Sequence, residues 1–150
     1  MIITLENKIA LVTGGAKGLG KAIVNKLNAS GAIVFFTSRD NNEIEKIKSL
    51  NIKNIYPLCA DVSTTSGIQT IFDYINDKFG KLDILVNNVG HTLEITDPYT
   101  SKEDWSEVMN LNFLCHVEVT NKFLPLMKKN DWGRIINITS IAGLEISGPA

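Results

Sequence analysis

The chain has 150 residues, 44% of them hydrophobic and 21% charged, which is the mixture of an ordinary globular domain and not of a disordered tail. A chain of this length makes about one domain and can bury roughly 68–70% of its unfolded surface. Fifteen Lys and Arg against sixteen Asp and Glu leave a net charge of −1, so charge gives no basis for non-specific binding to nucleic acid or an anionic membrane.

Cys59 and Cys115 stand far apart with no ligand pattern around them. They read as two buried thiols in a reducing cytoplasm, not as a disulfide or a zinc site, and no metal is expected. No apolar run approaches bilayer length, and Met1–Lys8 lacks the basic start and apolar stretch of a secretory signal. The expectation is a soluble, cytoplasmic, single domain spanning residues 1–150.

In chain order, Ile9-Ala10-Leu11-Val12 is a short apolar run closed by the glycine cluster from Gly14 to Gly20, the pattern of a fully buried strand. Residues 21–30 carry Ile23, Val24 and Leu27 at helical spacing, with Gly31 as the stop. Residues 32–37 (AIVFFT) form a second buried strand. Residues 42–50 place Ile44, Ile47 and Leu50 at three-residue steps, a short amphipathic helix. Residues 54–60 read as strand three. Residues 66–79 set Ile68, Ile71, Phe72, Ile75 and Phe79 on one helical face, ended by Gly80. Residues 83–87 are strand four, a long helix runs from about 104 to 129, and residues 134–139 are strand five. Pro125, near the end of that helix, marks a local bend. Strands alternating with helices imply a parallel sheet covered on both faces, since right-handed crossovers put the helices there. That architecture alone does not give a function.

The segment Thr13-Gly14-Gly15-Ala16-Lys17-Gly18-Leu19-Gly20 leaves the first strand and opens the first helix. In that context glycine allows a tight turn and a close approach of backbone to a pyrophosphate, and the helix N-terminus turns free N–H groups and its positive dipole end toward phosphate. No Gly-Lys-Ser/Thr ends the cluster, so it is not a P-loop. The pattern Thr-Gly-x-x-x-Gly-x-Gly, here Thr13, Gly14, Gly18 and Gly20, resembles the classical short-chain dehydrogenase/reductase family. The extended branch would need glycine where Lys17 stands. Later motifs agree in order: Asp61-Val62 after strand three, similar to the family's adenine-contacting pair; Asn87-Asn88-Val89-Gly90 after strand four, similar to Asn-Asn-Ala-Gly with Val89 adding bulk beside the cofactor; Trp105 seven residues before Asn112; and Ser140 after strand five. The resemblance covers essentially the whole chain. It implies a Rossmann-type doubly wound α/β fold, lacking the C-terminal strands and helices, with Thr13, Gly14, Lys17, Gly18, Leu19, Gly20, Ser38, Arg39, Asp61, Val62, Asn88 and Gly90 at the cofactor.

The end of strand two decides which nicotinamide cofactor is expected. An acidic residue there would accept bonds from the adenosine ribose and repel a 2′-phosphate. This chain has Ser38-Arg39, whose guanidinium suits phosphate, and Lys17 lies at the other family position for that contact. NADP(H) is therefore expected over NAD(H). Asp40 should point elsewhere. The competing reading is that Lys17 and Arg39 are solvated loop charges.

In the family a hydride passes between nicotinamide and a carbonyl or alcohol carbon. A tyrosine transfers the proton, a lysine lowers its pKa, a serine bonds the substrate oxygen and an asparagine organises a water relay. The resemblance assigns Ser140 and Asn112 to the last two roles. Thr139 competes for the serine's place, and Ser140 also suits a turn-capping hydroxyl. Asn112 sits among Val108, Met109, Leu111 and Phe113, so its amide is expected to be buried and bonded, either at a site or only to local backbone. The tyrosine belongs roughly thirteen residues after the serine, with the lysine about four further on. This chain ends at Ala150, ten residues past Ser140, and Tyr56, Tyr74 and Tyr99 lie elsewhere. The chain therefore reads as the N-terminal part of a longer one, with residues 146–150 resembling the approach to the tyrosine motif and strand five left as an exposed apolar edge. His91 is a polar loop residue or lines the substrate entrance, and His116 reads as structural. The expected protein is an NADP(H)-dependent oxidoreductase acting on a small ketone or secondary alcohol such as a 3-oxoacyl thioester, a homodimer or homotetramer at full length. The other expectation is a non-catalytic NADP-binding protein.

Overall fold

The computed structural model describes residues 4–95, 97, 99–129 and 131–141; the segment 146–150 singled out above lies outside them. Five strands, β1 (Ile9–Val12), β2 (Ile33–Ser38), β3 (Ile55–Cys59), β4 (Ile84–Asn87) and β5 (Arg134–Asn137), alternate with helices α1 (Gly18–Ala29), α2 (Asn41–Ser49), α3 (Thr65–Phe79), α4 (Lys102–Met109) and α5 (Cys115–Met127). All strand pairs are parallel, in the order β3-β2-β1-β4-β5. The chain moves outward from β1 through β2 to β3, then crosses to the other side for β4 and β5. That reversal between β1 and β4 is a topological switch point, where an open α/β sheet leaves a crevice beyond its strand ends.

Alternation along each strand divides the core between the two faces. Ile9, Leu11, Phe35 and Leu85 pack against Ile68, Ile71 and Ile75 of α3 and Cys115, Val119 and Phe123 of α5. Ala10, Val12, Val34, Phe36, Ile84 and Val86 pack against Val24 of α1 and Ile44 of α2. The central strands β1 and β4 are buried throughout, whereas β5 is exposed along its length. This is the parallel sheet the alternation implied, and it is Rossmann-like as the resemblance implied. Asp83 ties its lower end: its Oδ2 accepts from Ile9 N at 2.9 Å, and Lys81 and Lys8 lie 3.3 and 3.7 Å from its carboxylate.

Two expectations about the elements are corrected. The first helix begins at Gly18, not at residue 21. The long helix starts at Lys102 and is interrupted by a π-helical turn, Asn110–Leu114, between α4 and α5. Pro125 lies inside α5 without ending it. A third correction concerns the thiols: Cys115 is buried but Cys59 is exposed, because β3 is the outer strand of the sheet and its last residue faces out. Cys115 donates to Leu111 O, and burial pushes its thiol up to about 11, so it stays protonated at neutral pH. Among the described residues no helix is long and apolar enough to cross a membrane.

Candidate functional site

The carboxyl ends of β1, β2, β3 and β4 open into a crevice of about 460 Å³. Thr13, the first residue past β1, is fully buried beneath it. Its hydroxyl oxygen accepts from Asn88 N at 2.9 Å and Val89 N at 3.2 Å, while Asn88 Nδ2 donates back to Thr13 O and Gly14 O. Gly14 N in turn donates to the hydroxyl of buried Thr37 at 3.1 Å. The turns after β1, β2 and β4 are thus stitched together by side chains that reach backbone groups, which fixes the crevice floor without depending on any ligand.

The glycine turn itself takes two residues into the left-handed region, Gly14 (φ +66) and Gly18 (φ +55). A Cβ on Gly18 would meet nothing within 4 Å, so that side of the turn faces open space. Gly20 has the opposite role. A Cβ there would run into the Gly14 carbonyl oxygen, so glycine is what lets α1 start against the end of β1. Lys17 is the N-cap of α1 but makes no capping side-chain bond, and no acidic residue stands in the first turn. By contrast Asp40, Thr64 and Ser101 cap α2, α3 and α4 with their side chains. The leading N–H groups of α1 are therefore left without a side-chain cap.

Of the residues singled out in the sequence, Gly14, Lys17, Ser38, Arg39, Asp61, Val62, Asn88 and Gly90 line this crevice. Thr13 lies beneath it, and Gly18, Leu19 and Gly20 form the turn and first helical residues beside it without lining it, with Leu19 pointing to solvent. Lys17 and Arg39 both line the crevice, largely exposed, each within reach of a carboxylate. Lys17 Nζ is 3.9 Å from Glu43 Oε2, and Arg39 Nη1 is 3.9 Å from Asp61 Oδ2. Asp61 is itself held, its Oδ1 accepting from Ser63 N and Ser63 Oγ at 2.9 and 2.7 Å. Asp40 turns away to cap α2, accepting from Glu43 N at 3.1 Å.

A second hollow of about 890 Å³ adjoins the first and shares Asn88, Val89, Gly90 and His91 with it. Asn112, His116, Thr139 and Ser140 line it, so both rivals for the serine's role stand there together. The expectation of a buried Asn112 is corrected: the residue is exposed, as are Met109, Phe113 and Leu114 around it, because this stretch turns only Leu111 and Cys115 inward. Its amide is nevertheless fully used. Nδ2 donates to Val108 O and to His91 O, both at 2.8 Å, and Oδ1 accepts from His91 N at 3.0 Å. Asn112 thus clamps the loop after β4 to the π turn, and is not bonded to local backbone alone. His116 Nε2 lies 2.7 Å from Val89 O. Both histidines therefore face a hollow, His91 lining each of the two.

Sequence reasoning missed Thr37, Ala60, Leu93, Glu94 and Leu111 as lining residues. Thr37 carried a signal, a hydroxyl inside an otherwise apolar strand. Leu93 and Glu94 carried none: both adopt positive φ, which their residue types do not announce. Among the described residues no tyrosine lines either hollow. Tyr56 stacks on Phe35 at 5.0 Å, Tyr74 lies on α3 and Tyr99 is fully solvent-facing.

Comparison with known proteins agrees with this fold. The chain is 36% identical over 146 residues to a tropinone reductase homolog of Datura stramonium, covering 94% of this chain and 54% of that protein. It is 34% identical over 139 residues to the 3-oxoacyl-[acyl-carrier-protein] reductase FabG of Haemophilus influenzae, covering 93% and 57%. The fold superposes on a Pseudomonas aeruginosa RhlG/NADP active-site complex with a TM-score of 0.88 at 30% identity, over 99% of this chain and 60% of that one. The chain spans about half the length of the curated relatives it matches. The short chain dehydrogenase family model aligns with residues 8–148, which takes in the glycine turn, both hollows and all five strands, and the chain accordingly belongs to the short chain dehydrogenase family.

Proposed function

We propose that residues 1–150 act as one dinucleotide-binding domain of an oxidoreductase that uses NADP(H) and a small ketone or secondary alcohol, with 3-oxoacyl thioesters as one candidate class. The observation that carries this reading is the cradle after β1: a left-handed Gly18 with open space where a side chain would stand, beside a helix start that no side chain caps. The residues present fit a dinucleotide. The α1 N-terminus and Gly14 suit a diphosphate, Asp61 and Val62 suit an adenine, and Lys17 and Arg39 suit a 2′-phosphate. The NADP of the Pseudomonas aeruginosa RhlG complex supports the same choice.

The two adjoining hollows suit one extended ligand, whose nicotinamide end would lie toward Asn112 and Ser140. When bound, NADP(H) supplies the hydride exchanged with the substrate carbon. Ser140 holds the substrate oxygen by a hydrogen bond. Asn112 fixes the His91 backbone and so the edge of the substrate hollow. The exposed apolar residues Trp105, Met109, Phe113, Leu114 and Val117 along α4, the π turn and α5 support assembly into a dimer or tetramer through this helix.

A second reading is binding of NADP(H) without turnover. Fluorescence titration of the chain with NADPH and NADH tests the binding claim. The expected result is tighter binding of NADPH, with Arg39→Asp shifting preference toward NADH by about 1.5–3 kcal/mol, the scale of a hydrogen bond to a charged group. Equal affinity for both in the parent chain overturns the assignment. Oxidation of NADPH by the chain in the presence of a ketone separates the two readings.

A further inference from the structure

The Lys17 ammonium at the crevice has a charged neighbour on a different element. Glu43 is the third residue of α2, its backbone N–H held by the Asp40 cap, and its Oε2 lies 3.9 Å from Lys17 Nζ. That oxygen is shielded from solvent and accepts no hydrogen bond. The pair is unequal: the Lys17 side chain is 79% exposed and that of Glu43 26%. The next residue, Ile44, is fully buried and anchors α2 to the sheet. Glu43 is therefore the fixed member and Lys17, on its flexible stem, the movable one. A desolvated carboxylate oxygen without a hydrogen-bond donor is costly, and an ammonium at 3.9 Å is what offsets that cost. Asp61 differs, since Ser63 donates twice to its Oδ1 and its side chain is more exposed than that of Glu43, 36% against 26%.

Lys17, Arg39 and Asp61 line the crevice and Glu43 stands outside its lining, so the corner proposed for the 2′-phosphate has two cations, each 3.9 Å from a carboxylate. A phosphate dianion entering it meets a balanced cluster and not a doubly positive one. We propose that Glu43 is a specificity-determining residue: it holds Lys17 in the free protein, so a 2′-phosphorylated adenosine must take the ammonium from Glu43 as it binds. This rests on the reading of Lys17 and Arg39 as the 2′-phosphate site. A ligand with an unmodified ribose makes no such demand, so Glu43 narrows the preference for NADP(H) over NAD(H) that the two cations would otherwise give.

Calorimetry on the chain with adenosine 2′,5′-bisphosphate and adenosine 5′-monophosphate tests this, because the two probes differ only in the 2′-phosphate. Glu43→Gln keeps size and helix propensity while removing the charge. It is expected to tighten the bisphosphate about fivefold, the upper range for an exposed ion pair, and to leave the monophosphate unchanged. In a Lys17→Met background the same substitution is expected to have no effect on either probe. The proposal is overturned if Glu43→Gln leaves the bisphosphate unchanged, changes both probes alike, or gives its full gain without Lys17. Arg39→Gln separates this from the underlying reading. If it weakens the bisphosphate while Glu43→Gln does nothing, the Glu43 role alone falls; if the parent chain binds both probes equally and Arg39→Gln changes neither, the 2′-phosphate site falls and Glu43 with it.

Discussion

One hydroxyl, that of Thr13, joins the turns after β1 and β4 by accepting two backbone N–H groups. Thr13→Val keeps the shape and leaves both donors without a partner in a buried place, at a cost of about 1–3 kcal/mol. Urea unfolding should show that loss, and Thr13→Ser should recover most of it. If Thr13→Val unfolds at the parent midpoint, the hydroxyl is not what holds the crevice floor. The sequence marked Thr13 as part of the glycine pattern, at a cofactor, but the bonds by which it joins the two turns from beneath the crevice were not legible. Asn112 was only half legible. Its neighbours' apolar types argued for burial, yet residue type cannot tell which side of a helix the sheet covers, and here Met109, Phe113 and Leu114 face out with it. Cys59 failed for a related reason, because burial of a small apolar residue depends on whether its strand is central or outer. The carboxylate partners of Lys17 and Arg39 were invisible too, since Glu43 and Asp61 reach them only once α2 and β3 are folded beside β2.

At the scale of elements, α1 and β1 meet through Gly20, whose missing side chain lets the helix start against the Gly14 carbonyl. Gly20→Ala forces that backbone apart. We expect a stability loss of about 1–3 kcal/mol, as for other overpacked sites, and a fall of at least roughly tenfold in NADPH affinity, about 1.4 kcal/mol, read by thermal unfolding and fluorescence titration together. Unchanged binding would mean that the turn does not grip the ligand. The five strands and the first three helices were legible from the sequence, α4 and α5 only as one long helix, and the ends of the elements were not. The sequence placed the start of α1 after the glycines because glycine is a poor helix former, whereas the chain enters the helix at Gly18. The π turn at Asn110–Leu114 left no trace, since α4 before it buries no residue and so sets no apolar register against which one extra residue could show.

Across the whole molecule, strand–helix alternation and right-handed crossovers give a parallel sheet but allow more than one doubly wound strand order, so β3-β2-β1-β4-β5 was not legible from alternation alone. Among the described residues β5 is exposed along its length, Ile135 and Ile136 included.

The measurement that bears most directly on the dinucleotide cradle is a crystal structure of the chain with NADP⁺ bound. The expected result is the diphosphate on the first turn of α1 between Gly14 and Gly18, the adenine beside Asp61 and Val62, and the 2′-phosphate between Lys17 and Arg39 with Lys17 drawn off Glu43. A ligand seated elsewhere, or a 2′-phosphate turned to solvent away from both cations, would contradict it.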